Sequence, residues 1–126
     1  PPFAYTIGLS VTEDDFPEVM LIGLGSDKAH MVIANLILYW KDNGLQYGKV
    51  GGVIKDLDVM VNIIDMDKTE GIDRFLPFHS FAYREKQGLS VETMDFVQVI
   101  FPTPEGEFIE SEYQPFLPKK SYLREV

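Results

Sequence analysis

The stretch Ser26-Asp27-Lys28-Ala29-His30-Met31-Val32-Ile33-Ala34-Asn35-Leu36-Ile37-Leu38-Tyr39-Trp40-Lys41-Asp42-Asn43-Gly44 decides the fold. Ala29, Val32, Ile33, Leu36, Ile37 and Trp40 recur at the spacing of one helix face. Met31 and Leu38 widen that stripe, which predicts a deeply packed helix over Asp27–Asn43. Ser26 reads as its N-cap, Asp27 suits the positive end of the helix dipole, and Gly44 supplies the stop.

Upstream, Phe3 to Leu9 is rich in aromatic and β-branched residues and reads as a strand. Phe3, Tyr5 and Ile7 would share one face, with the small residues Ala4, Thr6 and Gly8 on the other. Ser10 to Asp15 reads as a turn. Glu18 to Leu24 reads as a second strand, buried on both faces for most of its length. An antiparallel hairpin is the simplest pairing of the two.

Downstream, Gly48, Gly51 and Gly52 lie in a stretch without a clear pattern. Val53–Leu57 and Val59–Ile64 read as strands. Ile72, Phe75, Leu76, Phe78, Phe81 and Ala82 suggest a helical region over Thr69–Gln87, broken or restarted at Pro77. Asp95 to Phe101 is apolar on both faces apart from Gln98, which predicts a central strand. Residues 102–126, with Pro115 and Pro118, read as an extended tail.

The whole has the composition of a single domain. Of 126 residues, 45% are hydrophobic and 25% charged, enough apolar material for a core. No cysteine is present, which excludes disulfides, thiol catalysis and sulfur-ligated zinc. The only histidines are His30 and His79, so no multi-histidine metal site is expected. Acidic residues outnumber basic ones 20 to 11, for a net charge of −9. That field repels phosphate backbones, so no nucleic-acid partner is expected. No apolar run approaches the ~20 residues of a membrane span. The absence of cysteine fits a cytoplasmic protein. The chain starts at Pro1-Pro2, so an element ahead of it is expected.

Three motifs carry a resemblance. They are Pro-Phe-Ala-Tyr-Thr-Ile-Gly-Leu at residues 2–9, Phe-Pro-Glu at 16–18, and Gln-Val-Ile-Phe-Pro at 98–102 with Glu-Gly-Glu-Phe at 105–108. Together they make the chain resemble an uncharacterised bacterial protein family, domain of unknown function 4262, from Phe3 to about Phe108. The first motif is fairly specific. Thr103 departs from the family pattern, which has an acidic residue after the late proline. The resemblance implies a further strand ahead of the first motif and a bacterial or phage origin, and it brings no established activity.

Candidate chemistry is sparse. His30, near the start of the long helix and opposite the Ile33–Leu36–Ile37 stripe, reads as a rim histidine. His79 lies among Phe75, Phe78, Phe81 and Tyr83, and such surroundings can tune a base. Asp65, Asp67, Glu70 and Asp73 form an acidic run, but their spacing does not match a calcium loop. The glycines around Lys49 do not form a phosphate loop, and no Gly-x-Ser-x-Gly elbow occurs. Glu18 and Gln98 are polar residues in apolar strands, and each needs a partner. Tyr5 and Thr6 can supply hydroxyls if the strands adjoin.

The expected fold is α+β: a mostly antiparallel sheet with the long central helix at 27–43, and a shorter helical region at 69–87 on an edge or the same face. The expected function is a non-catalytic binding module for a small molecule or protein partner. The alternative is a small hydrolase-like enzyme with a carboxylate or histidine base, Glu18 or His79. The expected site joins Tyr5, Thr6, Glu18 and Gln98, with His79 as a further candidate. No metal or cofactor is expected, and a homodimer is, because Phe116, Leu117 and Tyr122 make the tail apolar.

Overall fold

The computed structural model describes residues 2–13, 15–64 and 75–108. The acidic run at 65–73, the start of the region at 69–87, and the tail from 109 onward lie outside the described residues. In chain order the elements are β1 (Phe3–Tyr5), α1 (Leu9–Thr12), β2 (Glu18–Ile22), α2 (Ser26–Asn43), β3 (Gly48–Ile54), β4 (Leu57–Ile64), α3 (Phe78–Lys86) and β5 (Phe96–Ile100). The strands form one sheet in the order β1-β2-β5-β4-β3. The class is α+β.

The sheet is mixed. β1 and β2 pair antiparallel, with Phe3 opposite Ile22 and Tyr5 opposite Met20. β4 pairs antiparallel with both β3 and β5. β5, however, runs parallel to β2, with Glu18 opposite Phe96 and Met20 opposite Gln98. Parallel neighbours need a long crossover, and α2, the β3–β4 hairpin and α3 supply it. β5 is central, and all five of its residues are buried.

Side-chain alternation gives the sheet two apolar faces. Val19 and Leu21 of β2, Val97 and Val99 of β5, and Val59 and Val61 of β4 meet Ala29, Val32, Ile33, Leu36 and Trp40 of α2. Most of the α2 stripe expected from spacing is therefore the main core, but Met31 and Leu38, expected to widen it, are exposed, and Ile37 is only partly buried. Met20, Ile22, Ile64 and Phe96 face the other way and pack with Phe75 and Met94. α3 covers this opposite face, not the face of α2: Phe81 meets Phe96 edge-on at 5.9 Å between ring centroids. A strand pattern apolar on both faces requires a cover on each.

Local readings differ in five places, one of them Val53–Leu57, which is no strand of its own but the end of β3, a turn at Lys55 and Asp56, and the first residue of β4. The first strand stops at Tyr5, and the chain turns through Gly8 (φ +83°) into one turn of helix where a simple turn was expected. Gly25, not Ser26, precedes α2, and Ser26 makes no side-chain cap. Gly44 ends α2 with φ +84° but an extended ψ of 168°, so the stop is not a left-handed cap. The glycine stretch without pattern is β3. Its pairing with β4 shifts register between Val50 and Ile54, and a Cβ on Gly52 would lie 3.0 Å from the Tyr39 ring. These glycines erase the strand pattern because they admit a bulge and a close helix.

Leu36 has no exposed surface. Leu36→Ala should therefore cost about 2–5 kcal/mol. A urea unfolding series that shows a loss under about half a kcal/mol would contradict this placement of α2.

Candidate functional site

Glu18 starts β2 and is 1% exposed. Its Oε1 accepts hydrogen bonds from Thr6 Oγ1 at 2.7 Å and from the Leu9 N–H at 3.2 Å. Its Oε2 accepts from the Ser10 N–H at 2.6 Å. The two amides belong to the first turn of α1, whose orphan donors need an acceptor. Thr6 Oγ1 also accepts from the Val19 N–H at 2.8 Å. The carboxylate therefore joins the end of β1, the start of α1 and the start of β2.

A second set of bonds ties this corner to α3. Arg84 Nη1 donates to Ser10 Oγ at 2.9 Å, its Nε to Ser90 O at 2.6 Å, and its Nη2 to Thr93 Oγ1 at 3.1 Å. Gly8 faces the Tyr83 ring, where a Cβ would lie only 2.9 Å from Cε1. The Tyr5 hydroxyl accepts from the His79 N–H at 3.4 Å.

A cavity of about 490 Å³ opens between β1, α1 and α2. The chain from Ala4 to Leu9 forms one wall and Thr12 and Glu13 form an end. Ser26, His30, Ile33, Ala34, Ile37 and Lys41 form the α2 wall. Lys41 Nζ lies 3.3 Å from Glu13 Oε1, across the end where α1 meets α2. Both side chains are partly exposed, so the pair itself is worth about 0–1 kcal/mol. The middle of the wall is apolar, and Ile7 is 54% exposed there.

The expected site residues divide among four places. Tyr5 and Thr6 border the cavity. Glu18 stands behind it, bonded to Thr6. Gln98 shares the side of the sheet to which Met20 and Asn62 point, opposite both in register, and does not line the cavity. His79 is exposed on α3, and its link to Tyr5 uses its main chain, not its ring. His30 is exposed and shares a flank of α2 with Ile33 and Ile37, rather than lying opposite the whole stripe. Sequence reading missed Ile7, Glu13, Ala34, Ile37 and Lys41 as wall residues. The α2 wall residues do recur at helical spacing, but only the position of β1 shows that this flank faces a gap.

Among the described residues no group of three His, Asp or Glu side chains converges as a metal site. None of their helices is long and apolar enough to cross a membrane. Thr103, the departure from the family motif, closes a turn: its Oγ1 accepts from the Glu107 N–H at 3.2 Å. An aspartate there could accept the same bond.

Fold and site define a small α+β domain with a helix-walled cavity at one sheet edge. Residues 1–112 match the family model of the domain of unknown function DUF4262, and the chain belongs to that family. No curated protein and no solved structure matches it.

If Glu18 and Thr6 act as one unit, their substitutions will not add. Glu18→Gln should cost about 1–3 kcal/mol, because an amide turns a donor toward donors. A double-mutant cycle with Thr6→Val should show a coupling of at least about 0.5 kcal/mol. Strict additivity would mean that the two residues are energetically independent.

Proposed function

We infer that this domain is a non-catalytic binding module and that its ligand occupies the cavity between β1, α1 and α2. One observation carries the reading: a cavity of about 490 Å³ whose α2 wall is apolar at Ile33, Ala34 and Ile37, with a few polar groups around it. Ligand pockets of about 300–1,000 Å³ are commonly built this way, with few polar groups to fix orientation. Tyr5 and Thr6 contribute to the wall, and Glu18 holds that wall in place. Gln98 and His79 have no part in this cavity.

A hydrolase-like role for Glu18 has less support. Its two oxygens already accept three hydrogen bonds, and a general base must reach a substrate proton. Among the described residues, no acidic side chain is bonded to the exposed His79 ring to orient it as a base.

A cytoplasmic setting belongs to the same proposal, supported by the absence of cysteine. So does a homodimer, supported by the apolar residues Phe116, Leu117 and Tyr122 in the sequence. Light scattering should return about twice the 14.4 kDa chain mass. A mass equal to the single chain at high micromolar concentration ends the dimer proposal.

The binding reading is tested with Nile red, a neutral dye whose emission shifts blue in apolar surroundings. Wild-type protein should bind it saturably. Ala34 is an exposed wall residue, so Ala34→Trp should fill the cavity without disturbing the core. The variant should lose at least tenfold in dye affinity at unchanged melting temperature. Equal binding by the variant would overturn the assignment.

A further inference from the structure

β1 is an outer strand of the sheet. Its links to β2 alternate along the chain. The Gly23 N–H donates to Pro2 O at 2.8 Å and the Thr6 N–H to Val19 O at 2.9 Å, with Ala4 opposite Leu21 between them. Antiparallel alternation therefore turns the N–H and C=O groups of Phe3 and Tyr5 away from β2. Among the described residues, no strand lies on that side.

The cavity begins at this edge. Tyr5 borders it, yet the Tyr5 ring packs with Met20 and Ile22 on the opposite face of the sheet. What Tyr5 offers the cavity is its main chain. Across the gap, the α2 wall from His30 to Lys41 extends about 16 Å at the helical rise of ~1.5 Å per residue. An extended segment of about five residues covers that length at ~3.3 Å each. Every second side chain of such a segment would face Ile33, Ala34 and Ile37.

Charge narrows the occupant. The two formal charges on the cavity wall, Glu13 and Lys41, pair with each other. The interior is thus electrically neutral and matches uncharged apolar side chains. The protein as a whole carries −9, which favours basic residues on either flank of the segment.

The geometry points to strand addition: the cavity takes an extended polypeptide segment with alternate apolar side chains and Lys or Arg flanks, bonded to the free edge of β1 at Phe3 and Tyr5. This rests on the binding reading above. A compact apolar ligand would fill the same volume, but it would make no use of main-chain groups aligned beside an apolar trough. Edge-strand recognition uses both, bonds for affinity and alternate pockets for specificity.

The test is selection from a displayed library of random dodecapeptides on the full 126-residue chain, counter-selected on Ala34→Trp. Enriched sequences should alternate apolar residues and carry basic flanks. An enriched peptide is then synthesised in two N-methylated forms. Methylation of the alternate amides facing β1 should weaken binding at least tenfold. Methylation of the amides between them should change it less than twofold. Equal loss in both series overturns strand addition. If Nile red binds wild type but not Ala34→Trp while no peptide is enriched, strand addition fails and the cavity assignment stands. If neither probe binds, both fail.

Discussion

The carboxylate of Glu18 accepts three hydrogen bonds at a place where water does not reach. A buried carboxylate is costly unless such donors surround it. Here they come from Thr6 at the end of β1 and from two amides at the start of α1. The short helix is a single turn and would not hold its shape alone in water. Its conformation is imposed by Glu18 from below and by Arg84, through Ser10, from the side. Since α1 and the Ala4–Leu9 segment are the cavity wall, the cavity exists because of that carboxylate.

This arrangement accounts for the opening motif in physical terms. Tyr5 receives the His79 amide, Thr6 bridges Glu18 and Val19, and Gly8 takes the positive φ that lets the chain enter α1 under the Tyr83 ring. Every one of these is a fixing role. Tyr5, Thr6 and Glu18, which look chemically suggestive in the sequence, all make bonds that hold the fold together. The cavity wall includes plainer residues, Ile7, Ala34 and Ile37.

Much of the fold was legible in the sequence. The α2 stripe and the doubly apolar β2 and β5 need only periodicity, because burial writes itself directly into residue type. β3 was not legible, since Gly51 and Gly52 carry no side chains to alternate and are needed for the bulge and for the Tyr39 ring. The parallel pairing of β2 with β5 was not legible either. It depends on which strand fills the gap beside β2, and strand pattern holds no record of neighbours. At the site, the need of Glu18 for partners could be inferred, and Thr6 was named among them. The cavity could not, because it is a space between elements whose separation is set by packing.

The position of β5 has a kinetic meaning. It follows every other described strand in the chain, yet it sits between β2 and β4. Until it inserts, β1–β2 and β3–β4 are two hairpin-like pieces with no strand to join them, each exposing an inner edge. Joining them closes contacts across 78 positions, from Glu18 to Phe96, and such long closures slow folding. During synthesis both open edges wait for the last strand to emerge. Those waiting edges are where a partly made chain would pair with the wrong neighbour.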